Sequence, residues 1–390
     1  MRNERRRSFF CTGALMAGLC LGAARAEPTL TPIVADVLAA PQAVTGTDGH
    51  SHLVYELRLG NVTGGKAALQ SLEVVDGQSG KVLATLDRDA LSERLSLGGS
   101  RGAESSDLGP AQFGVLFIHV PLAAGEAPPK SLAHRLSGRF AVGPGDFAMT
   151  LAPTPVETRP PIVLGRPLAG GGYVAADSCC DTIRHVRALL SLDGAYHLAQ
   201  RFAIDWERIG DGNRLVAGDT KNVADYAIFG QPVLAVRDGV VVASRNDLPE
   251  QVPGALPAGM TVAEADGNFV VQDVGDGNFV LYAHMQPGSV TVKAGDRAKK
   301  GEVLGKVGNT GNSQAPHLHL HVMDGPSPLA SNGLPYVFES FAVTAVDEAG
   351  TADFDEAEAT GKPLTLTPVS PPAQHRKALP LDLTVVDFGP

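Results

Sequence analysis

His317-Leu-His-Leu-His321 is the stretch that decides the fold, because three histidines alternate with leucines and the pattern continues into Val322. A period of two is the signature of a β-strand with two unlike faces, one packed on an apolar core and one presenting imidazoles. His317 and His321 would lie roughly 13 Å apart on such a strand, which is too far for both to bind one ion. His319 is therefore the expected metal ligand, with His317 or His321 completing or flanking the site.

The residues upstream predict short strands joined by tight turns. Glycine and asparagine recur between short apolar pairs over residues 295–316, which is typical of turns between strands. Residues 267–284 read as two strands joined at Asp276-Gly277, with His284 at the end of the second strand. A β-hairpin is the simplest interpretation of that segment.

Four segments carry a resemblance to a known family. Gly308-Asn-Thr-Gly-Asn-Ser-Gln-Ala-Pro-His-Leu-His319 and Leu281-Tyr-Ala-His284 resemble the lysostaphin-type (LytM-like) zinc metallopeptidases, the murein endopeptidase family. Gly230-Gln-Pro-Val-Leu-Ala-Val-Arg-Asp-Gly-Val-Val242 and Phe202-Ala-Ile-Asp205 are similar to the same family, and all four occur in its order. The resemblance implies a small antiparallel β-fold with a groove, zinc as the cofactor, and cleavage of peptide cross-links in bacterial peptidoglycan.

The resemblance also implies roles for individual residues. Asp205 and His319 would be zinc ligands, and His284 and His317 would be the flanking catalytic pair. In the mechanism of that family the ion polarises a water molecule and the scissile carbonyl, and a histidine accepts the proton of the water.

One position departs from the family pattern. The first zinc ligand of the family is a histidine four residues before the aspartate, where this sequence has Arg201, which cannot donate a lone pair. His321 is a possible replacement as a neighbour of His319 on the same face. His197 is a second candidate, although a surface position after a turn is the simpler interpretation. In a third arrangement the site is empty and Arg201 neutralises Asp205.

The N-terminus predicts export. Residues 1–26 combine an arginine-rich start, an apolar stretch and small residues before Glu27, which is typical of a signal peptide with a twin-arginine-like pattern. The whole chain has a net charge of −10, and the leader itself is basic, so the mature protein is still more acidic and nucleic acid is not an expected partner. We expect no transmembrane segment in the mature chain and a periplasmic or extracellular location.

Two of the four cysteines fall within the leader, and the other two are adjacent, Cys179 and Cys180. An oxidising compartment would allow a disulfide between them, and we favour a structural role at the entry to the second domain. The alternative is a second metal site that includes His185.

The chain divides into two predicted domains with flanking segments. Alternating residues such as Leu53, Tyr55 and Leu57 predict an N-terminal β-sandwich. The resemblance implies a lysostaphin-type antiparallel β-groove domain after it, so the expected fold class is mostly β. The expected boundaries are a signal peptide over 1–26, the sandwich over 27–152, a Pro/Gly-rich linker over 153–178, the metallopeptidase domain over 179–345, and an acidic, proline-containing C-terminal extension over 346–390.

Three further segments carry expectations. His50 and His52 repeat the His-x-His pattern without a partner motif, and we expect exposed residues at a strand end. Residues 245–266 form an insertion expected to overhang the groove. Most of the chain after Phe341 is expected to be extended or disordered, with at most one edge strand near residues 381–388.

The sequence therefore predicts a secreted zinc metalloendopeptidase that acts on the peptide stems of peptidoglycan or on other secreted peptides. The alternative is a catalytically degenerate binding or regulatory module, which is suggested by Arg201 at the first zinc-ligand position.

Overall fold

The structure is a computed structural model that describes residues 30–390 except residue 101, residues 142–144, residues 182–183 and residue 257. The predicted signal peptide lies outside the described residues. Within them strands dominate, and nearly every strand pair is antiparallel, so the prediction of a mostly β protein is confirmed. None of the helices in this part of the chain is both long enough and apolar enough to cross a membrane.

The N-terminal unit is built from strands joined by short turns and one short helix, α1 (Arg88–Arg94), which Asp87 caps by accepting from the Ala90 N–H. Its strands are β1 (Ile33–Val37), β2 (Val44–Thr45), β3 (Ser51–Asn61), β4 (Ala67–Asp76), β5 (Val82–Leu86), β6 (Leu95–Leu97), β7 (Asp107–Leu108), β8 (Phe113–Leu122), β9 (Ser131–Phe140) and β10 (Asp146–Pro155).

These strands form two sheets with one core. One sheet has the order β1-β3-β8-β6 with β2 beside β3, and the other has the order β10-β9-β4-β5 with β7 beside β4. Alternate residues of both sheets, among them Leu53 and Leu57 of β3 and Leu72 of β4, enclose a single apolar cluster. The predicted β-sandwich is therefore confirmed.

The C-terminal unit holds the remaining strands, one further α-helix and short 3₁₀ turns. The strands are β11 (Ile162–Leu164), β12 (Gly171–Ala176), β13 (Leu190–Leu192), β14 (Ala195–His197), β15 (Ile204–Arg208), β16 (Pro232–Leu234), β17 (Gly239–Arg245), β18 (Asn268–Asp273), β19 (Phe279–Met285), β20 (Arg297–Ala298), β21 (Val303–Lys306), β22 (Leu318–Met323), β23 (Gly333–Leu334), β24 (Tyr336–Phe338), β25 (Phe341–Asp347), β26 (Leu366–His375) and β27 (Thr384–Asp387). The helix is α2 (Thr351–Thr360), and the 3₁₀ turns are His185–Arg187, Asp211–Asn213, Val223–Asp225 and Val262–Glu264.

One large sheet organises this unit, in the order β20-β17-β18-β19-β22-β15-β12-β27-β25-β26, with β23 beside β22. The predicted hairpin is present as β18 and β19, and Asp276 and Gly277 have positive φ angles at its turn. The histidine-rich strand is β22, and its leucines, Leu318 and Leu320, are fully buried in the main core. Both predictions are confirmed.

The segment predicted as a linker contains a strand of the main sheet. The prolines of residues 153–178 precede Gly171, and β12 then pairs with β15 on one side and with β27 on the other. Tyr173, Val174 and Ala175 are completely buried. The expectation of irregular structure was wrong here because a short apolar run after the glycines is enough to form a strand that neighbours on both sides stabilise.

The expectation for residues after Phe341 was also wrong. β25 continues the sheet, α2 follows, and β27 lies between β12 and β25 rather than at an edge. The acidic run forms a helix because Lys362 binds Asp353 and Glu356 and because Gly361 ends the helix in the left-handed conformation. The apolar residues of this segment are buried in two clusters of the C-terminal unit, among them Phe354, Val385, Val386 and Phe388.

The outer face of the first sandwich sheet packs on the C-terminal unit. Val54 of β3 belongs to the main core of the C-terminal unit, and Phe117 of β8 contacts Leu198. His52 is buried on this face and lies 2.9 Å from His119, between Nδ1 and Nε2. The expectation that His52 is exposed was wrong because the polar-looking face of β3 forms an interface between the two units.

Candidate active site

The site begins with the pairing of β15 and β22. In this antiparallel pair Asp205 lies directly opposite His319, a register that brings side chains on one face close together. The Nδ1 atom of His319 is 2.7 Å from Oδ1 of Asp205. β19 pairs with β22 on its other side, where Ala283 lies opposite His319 and His284 is the next residue.

His284 and His317 are held in one tautomer by backbone carbonyls. The Nδ1–H of His284 donates to the Thr310 carbonyl at 2.7 Å, and the Nδ1–H of His317 donates to the Ala315 carbonyl at 2.8 Å. Since a carbonyl oxygen can only accept, Nε2 of each neutral ring is left with its lone pair. The two ring centroids are 4.6 Å apart, and Nε2 of His317 lies 3.4 Å from Oδ1 of Asp205.

His284 also has an unusual backbone conformation. Its φ angle is +60°, in the left-handed region that residues other than glycine seldom occupy. Its N–H donates to the Asp266 carbonyl, and its own carbonyl accepts from Gly308. These contacts hold the ring at the cluster, and such local strain is a common feature of functional sites.

His321 contacts His319 but not Asp205. Its Nδ1 lies 2.9 Å from Nε2 of His319, and its side chain is completely buried. It therefore braces the ring nitrogen of His319 that does not contact the aspartate, in the way that outer partners orient metal ligands. The arrangement does not favour the interpretation of His321 as a zinc ligand.

His185 is a member of the cluster that the sequence analysis did not place there. It lies in the 3₁₀ turn after β12, with Nε2 at 3.3 Å from Oδ2 of Asp205 and its ring centroid 4.9 Å from that of His319. Its Nδ1–H donates to the carbonyl of Asp177 at 2.9 Å. No motif links it to Asp205, and it was considered only beside the two cysteines.

Arg201 does not contact Asp205. Its guanidinium forms a bidentate ion pair with Glu56 of the sandwich, with Nε to Oε1 at 2.8 Å and Nη2 to Oε2 at 2.6 Å, and Nη1 donates to the Gly333 carbonyl. Both charged side chains are buried. The expectation that Arg201 neutralises Asp205 was wrong, because the sandwich supplies a partner that the sequence pattern did not reveal.

The remaining candidates lie apart from the cluster. His197 belongs to the β13–β14 hairpin and contributes to none of the groups of metal-capable donors among the described residues. The sulfur atoms of Cys179 and Cys180 are bonded to each other. Cys180 also lies within reach of His52 and His119, but a sulfur in a disulfide is not available as a thiolate ligand.

The charges of the cluster are strongly coupled. Burial opposes ionisation of Asp205, but the imidazoles of His185, His317 and His319 outweigh it and hold the pKa of Asp205 well below its usual range. Burial and the imidazoles of His317 and His319 hold the pKa of His284 well below its usual range. Burial also opposes charge on His185, yet Asp205 dominates and raises the pKa of His185 to about 9. The site therefore combines one carboxylate with neutral and charged imidazoles.

The cluster lines a cleft of about 570 Å³. The insertion over residues 245–266 reaches this cleft through Leu256, and it is held there because the Gly254 N–H donates to the Gln314 carbonyl. Glu207 and Glu358 line another part of the cleft. Burial and the nearby Glu358 raise the pKa of Glu207 well above its usual range.

The donor atoms of the cluster fit a divalent metal ion. Two groups of three residues each have donor atoms within 4.8 Å of one another, and both include His319. One group adds His284 and His317, and the other adds His185 and Asp205. Imidazole nitrogen and carboxylate oxygen are ligands that zinc accepts, and three protein ligands with an open position are the usual set in catalytic zinc sites.

Parts of the chain are similar to known proteins. Residues 220–331 match the model of Peptidase family M23. Peptidoglycan DD-endopeptidase ShyA of Vibrio cholerae is 29% identical over 179 residues, which cover 41% of this chain and 37% of that protein. Cell division protein DipM of Caulobacter vibrioides is 33% identical over 98 residues, which cover 25% of this chain and 13% of that protein. The chain thus spans little more than a third of the first of these relatives.

Solved structures give two further similarities. The catalytic domain of the antimicrobial peptidase lysostaphin from Staphylococcus simulans is 21% identical, with a TM-score of 0.22, and the match covers 44% of this chain and 88% of that chain. A zinc containing peptidase from Vibrio cholerae is 16% identical, with a TM-score of 0.25, and the match covers 70% of this chain and 77% of that chain.

Residues 220–331 of the C-terminal unit thus resemble peptidase family M23, the lysostaphin/LytM-type peptidases. The matched segment contains His284, His317 and His319, whereas Asp205 and His185 precede it. The family predicted from the sequence motifs is confirmed.

Proposed function

We propose that this protein is an exported, zinc-dependent endopeptidase that cleaves peptide cross-links of bacterial peptidoglycan. The observation that carries the proposal is the convergence of His284, His317 and His319 with Asp205 in one cleft. The similarity to a peptidoglycan DD-endopeptidase supports the choice of substrate. The basic, apolar leader supports export to the periplasm or the exterior.

The residues of the cleft have separable roles. Asp205 and His319 would hold the ion, and His321 orients the His319 ring from its other nitrogen. When bound, zinc in such a site polarises a water molecule and the scissile carbonyl. In the neutral rings of His284 and His317, Nε2 carries the lone pair because Nδ1–H is bonded to a carbonyl, and it is therefore suited to accept the proton of the attacking water.

The cleft also limits how the substrate binds. Leu256 of the insertion offers apolar surface at the cleft, and Glu207 and Glu358 provide carboxyl groups that can accept hydrogen bonds. A peptide strand with amide N–H groups fits this combination of one apolar contact and several acceptors.

The alternative of a degenerate binding module rested on Arg201. Arg201 is bonded to Glu56 and leaves Asp205 surrounded by imidazoles, which supports the enzymatic proposal over a silent site. Cleavage of other secreted peptides is a different outcome, and a comparison of wall sacculi with a soluble glycine-rich peptide distinguishes it.

The test uses purified, zinc-loaded protein and isolated sacculi, with soluble muropeptides separated by chromatography and identified by mass. We expect cross-linked dimers to be converted into monomers, and no conversion by His317→Ala. Absence of any cleavage of sacculi by the zinc-loaded protein would rule out the proposed activity. Cell fractionation, together with the N-terminal sequence of the mature protein, tests export.

A further inference from the structure

We infer that His185 is the third protein ligand of the metal site, so that His185, Asp205 and His319 together hold the ion. The inference rests on the proposed function for the identity of the ion, and it adds a residue outside the family motifs. His185 lies twenty residues before Asp205, in a turn that precedes the segment matching the family model.

Arg201 occupies the position of the family's first zinc ligand, but its side chain binds another part of the protein. Arg201 extends to the sandwich, where Glu56 accepts two hydrogen bonds from it, and the Gly333 carbonyl accepts a third. An arginine also lacks a lone pair for a metal. Two ligands, Asp205 and His319, are fewer than a catalytic zinc site requires, so a third must come from another segment.

His185 meets the requirements for that ligand. Its Nε2 lies 3.3 Å from Oδ2 of Asp205, and donor atoms of His185, Asp205 and His319 lie within 4.8 Å of one another. Its Nδ1–H is donated to the Asp177 carbonyl, which makes Nε2 the nitrogen that would face the ion, and this is the usual outer contact of a zinc-bound histidine. The side chain is buried, so it is held in place before an ion arrives.

The C-terminal segment anchors the chain just before this ligand. Before it, the Ser178 hydroxyl donates to the Pro380 carbonyl and the Ser178 N–H donates to Asp382. Next to it, Arg184 bridges Asp177 and Asp355 of α2. Helix α2 and the segment after β26 thus fix the position of a turn that carries no family motif.

The second donor group is the competing arrangement. His284, His317 and His319 would give three imidazoles and no carboxylate. The two sets share only His319. His185 of one set and His317 of the other have Nε2 atoms at nearly equal distances from the Asp205 carboxylate, 3.3 and 3.4 Å. These two histidines therefore form a matched pair for substitution.

The experiment measures zinc binding without substrate. Metal-free protein, His185→Gln, His317→Gln and His197→Gln are titrated with zinc against a chromophoric chelator, and X-ray absorption at the zinc edge counts imidazole ligands in each loaded sample. We expect the affinity of His185→Gln to fall by more than about a hundredfold, since loss of an outer partner alone costs about ten- to a hundredfold. The affinities of His317→Gln and His197→Gln should stay within about threefold of the wild type, because neither ring belongs to the proposed ligand set.

The outcomes separate the arrangements. A wild-type spectrum with two imidazoles and a drop of one imidazole in His185→Gln supports the inference. Unchanged affinity of His185→Gln, or a wild-type spectrum with three imidazoles, overturns it. If His185→Gln does not fold, judged by circular dichroism, His317→Gln decides, because its loss of zinc would place His317 in the ligand set. Zinc bound through His185 in a protein that leaves sacculi intact would refute the proposed activity and leave this inference standing.

Discussion

The buried ion pair between Glu56 and Arg201 gives the sharpest prediction for stability. The two side chains are only 1% and 4% exposed, and three hydrogen bonds hold the guanidinium. Substitution Glu56→Ala leaves a buried positive charge without its partner, which costs about 3–5 kcal/mol. Arg201→His, the change that restores the family residue, leaves Glu56 without its bidentate partner and should cost a similar amount while adding no zinc ligand.

A double substitution separates the pair from its surroundings. Replacement of a buried ion pair by apolar residues of similar volume is often neutral, so Glu56→Leu with Arg201→Met should regain most of the loss. Chemical denaturation followed by the fluorescence of Trp206 reports the C-terminal unit, because this buried residue is the only tryptophan in the sequence. A loss below about 1 kcal/mol for Glu56→Ala, or a double variant as unstable as the single one, would refute the reasoning.

Three further outcomes are expected. The substitutions His284→Ala and His317→Ala should each lower kcat on sacculi by about 10²- to 10⁴-fold. Elemental analysis should find an unchanged zinc content, and loss of zinc would contradict the assignment of these residues as proton acceptors. Burial raises the pKa of Asp266 to about 7, so its contribution to stability is present below the pKa of 3.8 of an exposed aspartate and is lost as the pH rises through 7. In denaturation experiments the free energy of unfolding of Asp266→Asn should therefore match that of the wild type near pH 4 and exceed it by up to about 4 kcal/mol at pH 8. A difference that does not change with pH would refute ionisation of Asp266 as its cause. A chain that stops after Asp347 lacks β27 and should be insoluble or lack a cooperative thermal transition, and a cooperative transition like that of the full chain would show that β27 is dispensable.

Local sequence patterns were sufficient to predict the strands and turns that depend on alternating residues and on turn residues. The run from Leu318 to Val322 predicts β22, and the Asp276-Gly277 turn predicts the hairpin of β18 and β19. The family motifs identify Asp205 and His319, and their pairing across two strands follows from the sheet. Each of these features is encoded by residues close together in the chain or by a motif.

Features that depend on distant contacts were not predictable in the same way. His185 reaches Asp205 only because β12 pairs beside β15, and nothing in the spacing of the two residues indicates it. Glu56 has the polar character of a solvent-facing strand residue, yet the C-terminal unit covers it. The acidic run before Glu358 has the composition of a disordered segment, but packing of Phe354 stabilises it as a helix.

The central place of β27 in the sheet has a consequence for how the protein folds. β27 joins β12 to β25, and β12 precedes it by almost the whole sequence of the C-terminal unit. Closure of so long a loop is entropically costly, and folding rates fall as contacting residues lie further apart in the chain. Until that closure occurs, β12 and β25 expose open backbone edges that can pair with other chains. Slow refolding with concentration-dependent aggregation is therefore the kinetic behaviour that this sheet order imposes.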